Sequence, residues 1–306
     1  MLTRTVIAAV ASVSMITGAS AWDGARAYHL LPAGTTDISL TTTVLQGRGT
    51  IDFGGGFVQG TDLEVGVVTP SIRHAFDVGG NLVFLLASLP IGDVAFRTSA
   101  GTIDLDTSIA QGDLLLGGTV GLVGTPALTP LEFAMYKPGF HAVAEGKLFI
   151  PTGDYDSRRM LSLGLNRWSI QASLPMIYTL GDSMLDPDLM TFEVRPVVQF
   201  FGDNEDPFGP ALVAGQEPIF GVEAHVTRSF GLRLWAGIDA YYETGGETST
   251  DGIGRDDGLE TFSLGATLGL VVSPQVSLRL SYRELVQSNI PDSSGRTLEV
   301  ATAFLF

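Results

Sequence analysis

Cysteine is absent from all 306 residues. The fold therefore has no disulfide, no thiolate metal centre and no cysteine nucleophile. A cysteine-free chain also suits unfolded passage through an oxidising periplasm. Charge is scarce, at 16% of residues, and basic charge scarcer still: 17 Lys and Arg against 33 Asp and Glu give a formal net charge of −16. Neutralising a phosphate backbone needs clustered Lys and Arg, so nucleic acid is not an expected partner. Although 45% of residues are hydrophobic, the region after the N-terminus has no long unbroken apolar run. A membrane-crossing helix needs about 20 such residues in a row, which excludes a helical membrane protein. What abounds is punctuation, 38 Gly and 15 Pro, as expected for many short strands joined by turns.

The N-terminus has the three parts of an export signal. Arg4 supplies positive charge, Val6 to Ile16 an apolar stretch broken only by small residues, and Ala19-Ser20-Ala21 a cleavage site. Ala25-Arg26-Ala27 is a second, less apt site. The expected organisation is a signal peptide at 1–21 and one domain at 22–306; a buried N-terminal helix is the competing reading.

Beyond Trp22, dyad-patterned runs alternate with turn-rich stretches. Strands are predicted at 36–46, 62–76, 80–89, 112–124, 139–151, 166–180, 188–202, 217–229, 231–243, 259–272, 275–287 and 296–306. The even connections are mostly tight, as at Asp77-Val78-Gly79-Gly80, Gly181-Asp182-Ser183, Ser229-Phe230-Gly231 and Ser273-Pro274-Gln275. The odd ones are long and polar, as from Pro90 to Gln111 and from Thr244 to Gly258. Bacterial outer-membrane barrels alternate in this way, with short periplasmic turns and longer extracellular loops. Thr125 to Pro138 breaks the pattern.

Successive side chains of a strand point to opposite faces. Around 276–283, Val276, Leu278, Leu280 and Tyr282 share one face, and Ser277, Arg279, Ser281 and Arg283 the other. Strand after strand repeats this, with apolar faces five or six positions long. Such a face matches a lipid band of about 25 Å, while Arg or Lys on it would cost about 2–4 kcal/mol at the midplane. The charged face must then line a lumen. The expected fold is all-β: a transmembrane antiparallel up-and-down barrel of about twelve strands. Trp168, Tyr178, Phe200, Phe230, Tyr242, Tyr282 and Phe304 lie near strand ends as candidate interfacial aromatics. The chain ends on Phe306, and a last strand with an aromatic carboxyl-terminal residue resembles the signal read by the barrel-assembly machinery.

Pro151-Thr152-Gly153-Asp154-Tyr155-Asp156 and Leu163-Gly164-Leu165-Asn166-Arg167-Trp168 resemble the signature of a family of outer-membrane proteins named for the meta-pathway of phenol degradation. Ser162 stands where that signature often carries Asn. The resemblance implies transport of hydrophobic or aromatic compounds and assigns no functional residues. Physically, Gly153 frees the chain to leave a strand at the outer rim, and Arg167 and Trp168 restart the next one in the interfacial zone.

The dyad assignment turns Arg73, His141, Glu145, Lys147, Glu193, Arg195, Glu223, His225, Arg233, Asp239, Arg279, Arg283 and Glu299 inward. They form either a selective polar eyelet or a filling that holds strand register. Phe96, Ile103, Leu105 and Ile109, in the loop from Pro90 to Gln111, are candidates for a constriction. Asp203, Glu205, Asp206, Glu247, Asp251, Asp256 and Asp257 make the outer loops acidic without matching a calcium-loop template. No serine motif accompanies His29, His74, His141 or His225, and Gly54-Gly55-Gly56 precedes no helix. The expectation is a non-enzymatic channel of the bacterial outer membrane, without cofactor or metal, for passive uptake of small apolar or aromatic solutes. Its partners are lipid, lipopolysaccharide, the assembly machinery and the solute. The alternatives are a plugged structural or adhesive barrel, or a lipid-modifying enzyme using His225. The segment from Trp22 to Ala33 is too short for the plug of an energy-coupled transporter.

Overall fold

A computed structural model describes residues 22–52, 57–98, 104–106, 108–159 and 161–306. Met1–Ala21, expected to be a signal peptide, and Gly54-Gly55-Gly56 lie outside the described residues. Twelve antiparallel strands close into one up-and-down barrel. They are β1 (Thr36–Asp52), β2 (Phe57–Val78), β3 (Asn81–Ser88, resuming as Ile91–Thr98), β4 (Leu114–Val123), β5 (Phe140–Ile150) and β6 (Ser169–Ser173, resuming as Met176–Leu180). The rest are β7 (Met190–Phe201), β8 (Ile219–Phe230), β9 (Leu234–Gly245), β10 (Leu259–Ser273), β11 (Val276–Ser288) and β12 (Ser294–Leu305). β1 closes the ring on β12, from Asp37↔Leu305 to Arg48↔Ser294. Among the described residues no helix is long and apolar enough to cross a membrane; the strands do it.

The end that holds the chain terminus and the tight turns is the inner end. There Gly79 and Gly80 join β2 to β3 with φ of +63° and +85°, the primed turn whose twist matches a hairpin. The long connection from 125 onward is real. It carries helix α1 (Pro130–Met135), started by a Thr129–Glu132 capping box. Phe133 and Tyr136 pack on a cluster of Leu30, Ala75, Leu82, Phe84 and Met184 at the inner end.

Several strand boundaries depart from the sequence reading: β1 runs on to Asp52 rather than 46, β2 starts at Phe57 rather than 62, and three further departures have a local cause. Pro90, read as the start of a loop, is only a kink: Leu89 N donates to Pro70 O at 3.2 Å, and β3 resumes to pair with β2 from Val68↔Ile91 to Thr61↔Thr98. Proline removes one ladder hydrogen bond without ending the strand. Leu174-Pro175 interrupts β6 in the same way, with Leu174 N on Pro196 O at 3.1 Å. β9 starts at Leu234, three residues later than expected from 231, because Gly231, at φ +80°, and its neighbours form the turn.

The two faces are inverted relative to a soluble protein. Ile238 is 68% exposed on the outside, whereas Glu223 is 1% exposed on the inside. The seven candidate interfacial aromatics all face outward and are exposed. Against water such rows would lose about 25 cal/mol for every Å² of apolar area; against hydrocarbon they lose nothing.

Candidate solute pathway

Strand register sets opposite charges face to face. Arg195 of β7 lies opposite Glu223 of β8, and His225 of β8 opposite Asp239 of β9. Arg195 Nη1 contacts Glu223 at 3.0 Å and its Nη2 contacts Glu145 at 3.1 Å. His225 is held on both sides, 2.8 Å from Glu223 and 2.5 Å from Asp239, and Thr267 donates to Asp239 at 2.7 Å. The β5–β10 side of the lumen is thus one ionic network.

A strap from Trp22 to Thr35 enters from the inner end and docks on this network. Asp23 accepts from Lys147 Nζ at 2.5 Å and pairs with Arg195 at 2.9 Å, and the Tyr28 hydroxyl, with one proton to donate, lies within hydrogen-bond reach of both the Asp23 and the Glu145 carboxylates. Gly24 N donates to Glu223 at 2.7 Å, and Arg26 N to Glu193 at 3.1 Å. The Arg26 side chain donates to Thr227 and Ser229 and lies 4.6 Å from the centre of the Trp235 ring. Arg73 and Arg279 donate to the strap carbonyls of Ala27 and Asp23 at 2.7 and 3.1 Å. Gly24, at φ +81°, passes so close to Arg279 that a Cβ would sit 3.2 Å from its Nη1. Docked in this way, the strap fills much of one side of the lumen.

The other side is hollow. A cavity of about 560 Å³ runs beside the strap, mainly along β1–β5, β11 and β12. Its outer part is apolar, with Leu45, Val65, Leu115, Phe149, Leu163 and Leu165; Ser and Thr of β1 and β2 line its middle. Toward the inner end stand Asp37 and Arg73, paired at 2.9 Å, and Phe84. The mouth is sealed by Leu161 and Leu163, packed on Val65 and Val94.

Those two leucines hang from the Pro151–Trp168 signature, which folds as a knot. Asp113, just before β4, accepts from Gly153 N and Leu165 N at 2.9 and 3.0 Å. Burial raises its carboxyl above the ordinary range, against these backbone donors. The Gly153 and Gly164 backbones touch, so a Cβ on either would lie 2.7 Å from the other segment. Arg167 turns inward, hydrogen-bonded to Gln216 and over the Phe201 ring; burial brings it down to about 10. It therefore does not sit in the interfacial zone as expected, whereas Trp168 is exposed there.

The sequence pattern of the family described as "Putative MetA-pathway of phenol degradation" matches residues 47–300. The chain belongs to that family. An outer membrane channel from Pseudomonas putida F1, known from a crystal structure, is similar at TM-score 0.77 and 21% identity, over 93% of this chain and 100% of that one. The transport unit of the autotransporter AIDA-I from Escherichia coli is similar at 0.52 and 8% identity, over 97% of each chain. The translocator domain of the Neisseria meningitidis autotransporter NalP reaches 0.51 and 12%, over 97% and 99%. At these identities the likeness concerns the fold. No curated protein matches the sequence.

In this family member the inward-assigned residues mostly meet. Glu145, Lys147, Glu193, Arg195, Glu223, His225 and Asp239 form or flank the network, and His141 Nε2 lies 3.1 Å from Tyr28 O. Arg279 binds Glu299 at 2.9 Å, and Arg283 lies 5.0 Å from the centre of the Tyr241 ring. Arg233 is the exception: it is exposed in the β8–β9 turn, not in the lumen. The expected constriction fails at Ile109, which is 80% exposed; Phe96 and Leu105 are backbone partners in an outer hairpin, and Ile103 lies outside the described residues. The loop carboxylates fasten backbone instead, Asp251 to Leu212 and Val213, and Asp257 to Thr248. Among the described residues no group of His, Asp and Glu could hold a metal. Sequence reasoning missed the strap's docking and Asp113. The available signal was the density of aromatic and charged residues at 22–29 in a segment without dyad pattern.

Proposed function

We propose that this protein is a passive channel of the bacterial outer membrane for small apolar or aromatic solutes. The observation that carries the reading is the cavity, with its aliphatic mouth, beside a strap that leaves one side of the lumen free. A solute would enter past Leu161 and Leu163, follow β1 and β2, and leave by the Asp37–Arg73 pair when the strap loosens. Residues 1–21 would be a signal peptide, and Phe306 a contact for the assembly machinery. The inner end would then face the periplasm, and the outward band would meet lipid and lipopolysaccharide. The acid–base arrangement gives no support to an enzyme, because both His225 nitrogens already face carboxylates and neither is free for a nucleophile.

The test is uptake of radiolabelled toluene by intact Gram-negative cells, where lipopolysaccharide is the barrier. Cells expressing the chain should accumulate it several-fold faster than cells expressing a Leu163→Trp variant, which fills the mouth. Equal rates would overturn the proposal. The strap favours a second reading, a barrel closed at rest that opens only when the strap is displaced. In that case deleting residues 23–30 would raise ion conductance.

A further inference from the structure

We propose that the free side of the lumen selects neutral solutes that carry a hydroxyl group on an apolar body, and rejects ionised ones such as carboxylates. This rests on the pathway reading above and specifies its substrate class. Strand register carries it. Ser277, Ser39, Ser71 and Ser88 fall in one row across β11, β12, β1, β2 and β3, with Ala303 between the first two. In the next row outward, Thr41 and Thr69 are direct partners, with Ala301 on the other side of Thr41. All eight line the cavity. The alanines keep this wall thin, so the hydroxyls are reached from the lumen.

The side-chain hydrogen bonds among the described residues leave the hydroxyls of Ser39, Thr41, Thr69 and Ser71 uncommitted. A hydroxyl both donates and accepts. A belt of them therefore satisfies a solute O–H in either sense, and rows about 7 Å apart along the strands let it be handed on. A hydrocarbon enters the same mouth but displaces water from the belt without replacing its hydrogen bonds.

Three of the cations beside the cavity are already paired with carboxylates. Arg73 holds Asp37 at 2.9 Å, Arg279 holds Glu299 at 2.9 Å, and Lys147 holds Asp23 at 2.5 Å. Arg26 donates to Thr227 and Ser229. A carboxylate would shed its hydration on the hydroxyl rows and find the cations of this wall, Arg73 and Arg279, already paired with Asp37 and Glu299, a strongly unfavourable exchange. Neutral polarity is what this wall accommodates.

The experiment is fluorine NMR of 4-fluorobenzyl alcohol, 4-fluorotoluene and 4-fluorobenzoate with the full mature protein in micelles, subtracting the same spectra in empty micelles. The alcohol should bind saturably, about tenfold more tightly than either analogue. The near-isosteric Thr41→Val/Thr69→Val variant should bind the alcohol about tenfold more weakly while toluene binding stays within about twofold. Ser39→Ala/Ser71→Ala carries the same expectation should the valine variant not fold. Equal or tighter benzoate binding overturns the proposal, as does unchanged alcohol binding in a folded variant. Saturable toluene binding without preference for the alcohol sinks the hydroxyl selection but leaves the apolar pathway standing. No saturable binding by any of the three removes both.

Discussion

Asp23 is the anchor whose loss should free the strap. Its carboxylate takes Lys147 at 2.5 Å and Arg195 at 2.9 Å, and both of those side chains are 4% exposed or less. Breaking one partner from a buried ion pair costs about 3–5 kcal/mol. Two features place Asp23→Asn at the lower bound. The Asp23 side chain is itself 21% exposed, and Glu145 stays within 3.5 Å of Lys147 and 3.1 Å of Arg195. A loss of about 3 kcal/mol, at about 1.4 kcal/mol per factor of ten, weakens docking about 100-fold. The absence of cysteine makes this measurable, because Ala25→Cys places a single thiol at a position 1% exposed in the docked strap. Its modification by a membrane-impermeant maleimide then reports strap release, provided reclosing outpaces labelling. The Asp23→Asn/Ala25→Cys protein should react about 100-fold faster than Ala25→Cys alone. Adding Lys147→Met should recover part of the loss, because two residues in contact do not contribute additively. Acceleration below about threefold would refute the anchoring role.

Four further outcomes follow from the geometry. Leu163→Ser, in the mouth cluster with Leu161, Val65 and Val94, should loosen the outer seal by about 2–4 kcal/mol and raise single-channel conductance; an unchanged conductance counts against the seal. Arg233→Glu should leave the reversal potential under a salt gradient unaltered, since Arg233 is in an exposed turn. Arg73→Glu, which deprives Asp37 and the Ala27 carbonyl of their partner, should shift it toward cation preference. Asp113 has a carboxyl raised by burial, so folding takes up a proton there. Its stabilising contribution is complete below the unfolded value of about 3.9 and is lost as pH rises through the higher folded value. Asp113→Asn should flatten the acid end of the profile of unfolding temperature against pH, and an unchanged slope would exclude this linkage.

The barrel was legible because lipid lies on one side of every strand and a lumen on the other, which imposes period two along Val276–Arg283 and its counterparts. Strand ends were less legible. The rule that proline ends a strand misplaced Ile91–Thr98, since a wall wrapped by its neighbours tolerates one missing donor at Pro90. Arg233 satisfied the alternation by coincidence, three residues inside a turn that only Gly231's left-handed backbone reveals. The alternation groups the charges of β5–β9 on one face but does not reveal a partnered network, because several of their partners lie in the strap. No periodic signal marks Trp22–Thr35: its order comes from Glu223, Glu193, Lys147 and Arg279, each more than a hundred residues away.

The division of the lumen follows from one electrostatic constraint. In a barrel of this width an inward charge must find a partner, because it is taken out of bulk water without reaching a solvated surface. On β5–β9 the strap brings Asp23, the Gly24 and Arg26 amides and the Tyr28 hydroxyl to the wall, so Glu and Arg can be dense there. Along the middle of β1–β3 nothing docks, and an unpartnered charge would hold water and block the passage. Those positions carry Ser39, Thr41, Thr43, Thr69, Ser71 and Ser88 instead. Where charge reappears on this side it arrives as ion pairs, Asp37 with Arg73 and Arg279 with Glu299. The strap and the hydroxyl wall are thus two answers to the same cost, and removing the first should leave the ionic wall wet and unable to distinguish an apolar solute from an ion.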